Sequence, residues 1–348
     1  MTTFYFKFGK EYELDNEASK IAPKILHSTT DGSGPEEISL GVFKSIKEGI
    51  IAEYLLEQIL SESALFEYYY AEENEEKGNH FHFSINCGTL PAEMLMASII
   101  RDYAVFFWIF REFFASLLTG NFRNTFFGWN RKLYHTVRTN EVQDYSSRAY
   151  AFVTLNRNRK SALTLEVRAS ETSIVYDFVA FALATAFAFK SYQTRKNNIE
   201  FKQKFIDALD VLNRYYNDLY ENNDTESLIY FNIIFSCVSD YFSNTDVQKL
   251  ADYFNALDFS VDADTNTVTK IETDKYIDIA IEIYKNDSIR IAEKQKEELI
   301  WFLETVKKCD FDREKIVKEC LKNITEEEFS RALDSLRKIL KNPDTILL

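Results

Sequence analysis

Two histidines one residue apart, His80-Phe81-His82, and three acidic segments are the parts of this chain whose residue types and spacing could do chemistry. The acidic segments are Gly9-Lys10-Glu11-Tyr12-Glu13, Glu36-Glu37-Ile38-Ser39 following Asp31-Gly32-Ser33, and Glu166-Val167-Arg168. Imidazole is a common metal ligand near neutral pH, and the chain has only 4 histidines, so two of them at a spacing of two carry weight. Each segment also has an ordinary reading: solvated surface for Glu-x-Glu, a structural ion pair for Glu-x-Arg. Together, carboxylates, imidazoles and arginine on several strands are what a metal–phosphate site on one side of a curved antiparallel sheet would require.

The elements that must position these groups follow from period-two alternation. In Phe4 to Leu14, Phe4, Phe6, Phe8, Lys10, Tyr12 and Leu14 oppose Tyr5, Lys7, Glu11 and Glu13. Residues i and i+2 of a strand point the same way, so Glu11 and Glu13 share a face. In His80 to Asn86, His80, His82, Ser84 and Asn86 oppose Phe81, Phe83 and Ile85; in Ala162 to Arg168, Thr164, Glu166 and Arg168 oppose Leu163, Leu165 and Val167. Each reads as a half-buried strand. Further strands are expected at 35–40 and 66–71, and a hairpin at 148–156 and 161–169 across a basic turn. Helical spacing predicts helices over 40–60, 91–118 and 173–192, with an irregular aromatic and arginine-bearing stretch at 121–148.

After Lys190 the composition shifts to a charged, helix-patterned region, with helices expected at about 200–222, 225–243, 246–257, 273–307, 312–322 and 325–341. The expectation is therefore two domains, 1–190 and 191–348, the second all-helical and of unassigned role. Thr325-Glu326-Glu327-Glu328 gives a helix start with acidic residues where the dipole favours them. Asp262-Ala263-Asp264-Thr265-Asn266 lacks the glycine and closing glutamate of a calcium loop and reads as a hairpin turn.

Composition bounds the function classes. The chain has 348 residues, 46% of them apolar, enough for a large core. A net charge of −14 argues against broad nucleic-acid binding, which needs a basic surface. Cys87, Cys237, Cys309 and Cys320 have no Cys-x-x-Cys spacing, so neither a zinc ribbon nor a disulfide framework is expected and a cytoplasmic location is the simpler reading. Met1 leads directly into strand-like sequence, and no signal peptide is expected. The apolar stretches Ile99 to Leu118 and Ser173 to Phe189 are interrupted by charged residues, among them Arg101, Asp102 and Asp177. They read as buried helices rather than membrane spans.

The order of these segments resembles the amidoligase branch of the glutamine-synthetase-like carboxylate–amine ligases. The resemblance runs over residues 4 to 190. It rests on the Gly9 to Glu13 strand, Asp31 and Ser33, Glu37-Ile38-Ser39, His80 and His82 after Gly78, Phe122-Arg123-Asn124, and the block Arg148-Ala149-Tyr150, Leu155-Asn156 and Glu166-Val167-Arg168 before an apolar helix. The chain departs from the family in having Lys77-Gly78-Asn79 before the histidines and Leu40-Gly41 after the Glu-Ile-Ser strand. The resemblance implies an α+β fold: a glutamine-synthetase-like curved antiparallel sheet with helices on one side, here followed by a helical C-terminal domain.

It also implies ATP-dependent amide formation between a carboxylate and an amine, small molecules or peptides, through an acyl phosphate, with Mg²⁺ or Mn²⁺ as the ion. By that resemblance Glu11, Glu13, Glu37, His82 and Glu166 would hold metal. His80, Ser33, Asn156 and Arg168 would contact the nucleotide, His80 or His82 serving as ligand or phosphate contact. Arg168, Arg148 and Arg123 would act on the transferring group, where a planar guanidinium grips phosphate oxygens in a way lysine does not. No P-loop, Rossmann glycine motif or nucleophile elbow is present. A nucleotide site would therefore be built from strands and ions. Two other readings stay open: a metal-dependent hydrolase using the same residues, and a non-catalytic structural or interaction protein of a phage or mobile element. No nucleic acid or membrane partner is expected, and the oligomeric state is left open.

Overall fold

The structure is a computed structural model that describes residues 3–13, 26–27, 37–61, 79–86, 153–156, 163–170, 173–197, 261–262, 267–268, 273–286 and 291–341. The fold is mixed α+β. Its elements in chain order are β1 (Tyr5–Glu13), β2 (Glu37–Phe43), α1 (Ile46–Ser61), β3 (Asn79–Asn86), β4 (Val153–Asn156), β5 (Leu163–Ser170), α2 (Ile174–Asn197), β6 (Val261–Asp262), β7 (Thr267–Val268), α3 (Thr273–Asn286), α4 (Glu293–Lys308), α5 (Arg313–Asn323) and α6 (Glu326–Ile339). The expected strand at 66–71, the helix at 91–118, the stretch at 121–148 and the helices between 200 and 257 lie outside the described residues.

Two compact units divide the chain. One comprises Met1–Ala92, Val153–Val179 and Arg290–Leu348; the other comprises Glu93–Phe152 and Ala180–Ile289. Neither is bounded at residue 190, so the expected division into 1–190 and 191–348 is corrected: α4, α5 and α6 belong to the unit that holds the sheet.

Among the described residues, the first unit contains a five-stranded sheet in the order β2-β1-β3-β5-β4, and every neighbouring pair is antiparallel. One face is apolar because the alternation is nearly unbroken: Phe6, Phe8, Phe81 and Phe83 are all buried. Each such ring contributes about 1.5–3 kcal/mol by leaving water. The beginning of α2 covers this face. Phe178 meets Phe8 and Phe81 edge-on at 5.0 and 5.5 Å between centroids, and Phe302 of α4 closes on it at 6.3 Å. Gly49 of α1 leaves the room this ring needs, since a Cβ there would lie 2.9 Å from it.

The strand expected at 35–40 extends to Phe43, and the helix expected from residue 40 begins at Ile46. A bulge explains the difference. Gly9 pairs with Val42 and Glu11 with Ser39, so Leu40 and Gly41 together stand against Lys10. Val42, four positions before Ile46 and so at helical spacing, is exposed on the strand, while the extra residue leaves Leu40 and Phe43 buried three positions apart. Gly41 takes φ +92° at this point, a conformation glycine adopts without steric cost.

The C-terminal helices are fastened to the sheet unit by polar contacts as well as apolar ones. Gln295 of α4 accepts from the Phe6 N–H at 2.7 Å and donates to the Phe6 carbonyl at 2.8 Å. Glu298 Oε1 accepts from the Ile46 and Lys47 N–H groups at 2.9 and 3.3 Å, satisfying donors that the first turn of α1 leaves open. Thr325 and Glu328 form a reciprocal capping box at the start of α6, the helix start expected there. The single helix expected at 273–307 is two helices, α3 and α4, with Ile291 bridged to Phe4 between them. In the second unit, β6 and β7 pair across the expected turn at 263–266, and Tyr284 of α3 donates to the Ala182 carbonyl of α2 at 2.5 Å. Cys309 and Cys320 are buried and free, and no helix among the described residues is long and apolar enough to cross a membrane.

Candidate metal site on the polar sheet face

The polar face is assembled by register. Glu11 of β1 pairs directly with His80 of β3, and Gly9 pairs with His82. Residues paired across an antiparallel ladder share a face, so Glu11, His80 and His82 meet on the side opposite the phenylalanines. The His82 Nε2 to Glu11 Oε2 distance is 2.9 Å and the His80 Nδ1 to Glu11 Oε2 distance is 3.6 Å. The imidazole rings stand 6.2 Å apart between centroids. One donor atom from each of the three residues lies within 4.8 Å of the other two. The side chains of His80, His82 and Glu11 are 3%, 17% and 24% exposed, so the group is rooted in the sheet and open on one side.

Burial alone would disfavour the Glu11 carboxylate. Hydrogen bonds and charge from His80 and His82 outweigh that penalty and hold the carboxyl well below the usual carboxylate range. An ionised carboxylate only accepts, so His82 donates its Nε2–H to Glu11 here. Two imidazoles and a carboxylate are a donor set that divalent transition ions take. Ligand atoms bonded to one ion at about 2.0–2.2 Å stand roughly 3.0–3.5 Å apart at the usual angles. The 2.9 and 3.6 Å separations from Glu11 bracket that spacing, and the three donor atoms lie within 4.8 Å of one another, so the residues fit a metal once the side chains close on it.

Gly9 makes this approach possible. A Cβ at residue 9 would stand 3.0 Å from the Gly41 carbonyl oxygen, which the bulge brings over β1, and 3.5 Å from the His82 Cβ. The glycine that opens the Gly-x-Glu-x-Glu segment therefore relieves a tight approach of the bulge beside the histidine.

The other expected site residues are distributed as follows. Glu166 of β5 is the register partner of His82, so its backbone lies in the same row as the cluster. Glu13 is the register partner of Glu37, two positions along from Glu11 and Ser39. Glu37 is half-buried, and among the described residues the donor atoms that converge are those of Glu11, His80 and His82. Asn156 pairs with Thr164, which pairs with Ser84, two positions along from His82. Arg168 lies in an irregularity: Phe81 pairs with Val167 and Asn79 with Ser170, so Arg168 and Ala169 together face His80. Ser33, Arg123 and Arg148 lie outside the described residues.

Sequence reasoning missed a second polar layer on the helix side of β1. Lys10, fully buried, donates to Asp177 of α2 at 2.6 Å. Tyr12 donates to Glu53 of α1, which also accepts from Ser173 Oγ at 2.8 Å and the Ile174 N–H at 2.7 Å. Arg313 of α5 reaches Ser173, Glu53 and Glu57. The two anchors from β1 flank Glu11 in sequence and point away from it. Lys10 amid Phe4, Phe6, Phe8 and Tyr12, and Asp177 within an apolar helix, were the available signals; Arg313 offered none. No family model, curated protein or solved structure matches this chain.

Proposed function

We propose that this chain is an ATP-dependent carboxylate–amine ligase whose reaction centre lies on the polar face of β1, β3 and β5, in a sheet of the glutamine-synthetase-like kind. The observation that carries the reading is the convergence of Glu11, His80 and His82 on that face, with Glu166 in register beside His82. The order of the sequence segments supplies the reaction class. In that reaction a substrate carboxylate oxygen attacks the γ-phosphorus of ATP and ADP departs. The amine nitrogen then attacks the acyl carbon, phosphate leaves, and the nitrogen loses a proton.

Glu11, His80 and His82 would hold the divalent ion, and Glu13, Glu37 and Glu166 are the further carboxylates assigned to it. Such an ion supplies positive charge against the phosphate oxygens, the largest need in phosphoryl transfer. Arg168, Arg148 and Arg123 would grip the transferring group, and Ser33 and Asn156 would contact the nucleotide. The apolar face beneath fixes the strands, so the ligands are positioned before substrate arrives.

A second reading is favoured by the donor set itself. Two imidazoles and one carboxylate with an open side are also the ligands of hydrolytic zinc sites, where bound water becomes the nucleophile. Hydroxylamine separates the two. With ATP, a panel of carboxylates and hydroxylamine as the amine, a ligase yields a hydroxamate and stoichiometric ADP. Hydrolysis of ester or amide substrates without nucleotide, and no hydroxamate with any carboxylate, would replace the ligase reading by the hydrolase.

A further inference from the structure

We infer that the ion held by Glu11, His80 and His82 is a borderline transition cation of the Zn²⁺ and Co²⁺ class in preference to Mg²⁺. This rests on the metal-dependent reading of the same face and narrows it. Mg²⁺ seeks an octahedron of oxygen atoms at short distance and gives up water reluctantly. The converging donors here are two nitrogens and one oxygen, His80 Nδ1, His82 Nε2 and Glu11 Oε2. Imidazole favours Zn²⁺, Cu²⁺, Fe²⁺ and Ni²⁺ over magnesium, and affinity at a nitrogen-containing site follows the transition series.

The placement of the three groups supports a site for a single ion. His80 and His82 are two apart on one strand, so the sheet fixes both rings against the one Glu11 oxygen that lies 3.6 Å from the first and 2.9 Å from the second. His80 is buried, while His82 and Glu11 are partly open. Three protein ligands with an open side is the arrangement of a catalytic site, which leaves a coordination position for substrate; structural zinc sites close all four. Gly9, in register with His82, leaves the space beside that ring to the Gly41 carbonyl oxygen.

The test is calorimetry on the full chain after chelator treatment, titrated separately with Zn²⁺, Co²⁺ and Mg²⁺. The expected result is one ion per chain, with Zn²⁺ and Co²⁺ at least about 100-fold tighter than Mg²⁺. Glu11→Gln and His82→Gln should each weaken Zn²⁺ binding at least about tenfold, the low end of what loss of even a supporting residue costs a metal site, with unchanged circular dichroism. His27→Asn, an exposed histidine outside the cluster whose backbone N–H donates to the Ile339 carbonyl of α6, should leave binding as it is. Mg²⁺ binding as tight as Zn²⁺, or Zn²⁺ binding that survives His82→Gln, would overturn the inference while the hydroxamate assay still judges the ligase reading. Absence of binding by all three ions would overturn both the inference and the metal-dependent reading.

Discussion

Replacing Lys10 by methionine tests whether the helix-side anchors hold β1 in the register that presents Glu11. The Lys10 ammonium and the Asp177 carboxylate are 2.6 Å apart and both side chains are fully buried. Methionine keeps most of the aliphatic volume but removes the charge that balances Asp177. Removing one partner of a buried pair costs about 3–5 kcal/mol, because the remaining charge stays out of water. Against a total stability of about 5–15 kcal/mol, that is a large fraction.

Lys10→Met with Asp177→Leu removes both charges, and such double replacements are often neutral or stabilising by about 1–4 kcal/mol. Urea unfolding of the four proteins of the cycle, followed by Trp301 fluorescence in a Trp108→Phe, Trp129→Phe background, reports the sheet unit, since Trp301 lies on α4 within it. The expected coupling between the two sites is at least about 3 kcal/mol. A one-residue slip of β1 would turn Glu11 to the helix side. If the pair serves register, the double variant will be stable and yet bind Zn²⁺ more weakly. A Lys10→Met cost below about 1 kcal/mol would refute the reasoning, because it would mean that this ion pair is not the buried anchor of β1.

Two further predictions concern the same unit. Burial, together with the charge of Glu328, raises Glu298 to about 7, against the lowering effect of the Lys47 and Ile46 N–H groups and the Lys47 charge. The native state therefore keeps a proton that the unfolded chain releases above pH 4.5, the model-compound value. The stabilisation is complete below that pH and is lost as pH rises through about 7; it amounts to roughly 3 kcal/mol at most. Glu298→Gln should flatten the stability difference between pH 5 and pH 8 in urea titrations, and an unchanged slope would show that Glu298 does not carry it. Gly9→Ala should cost about 1–3 kcal/mol, an overpacking penalty, because its Cβ would press on the Gly41 carbonyl oxygen at 3.0 Å; a neutral outcome in the same titration would mean that the Gly41 peptide gives way to it.

The sheet was legible because alternation is a local property. Phe6, Phe8, Phe81 and Phe83 could be assigned to one face, and Glu11, His80 and His82 to the other, from spacing alone, and the ladder between β1 and β3 then brings them together. Bulges were not legible, since an inserted residue changes the apparent period without marking itself. At Leu40 and Gly41 it carried the strand past the point where a helix was expected to begin, and at Arg168 and Ala169 it set two residues against one. The grouping of α4, α5 and α6 with the sheet unit depended on contacts such as Gln295 to Phe6 and Glu298 to Ile46, more than 250 residues apart in sequence. No local pattern encodes such pairs. The buried Lys10–Asp177 pair was visible only as two charges in apolar settings, and their mutual distance is a tertiary fact.

Crystals of the full chain grown with Zn²⁺, with anomalous data collected at the zinc absorption edge, would locate any ion bound at the polar sheet face. The account predicts one strong peak on the polar face of β1 and β3, bonded to Glu11 Oε2, His80 Nδ1 and His82 Nε2 at about 2.0–2.2 Å. A map with no peak there, and Glu11 still hydrogen-bonded to His82 in fully loaded crystals, would contradict it.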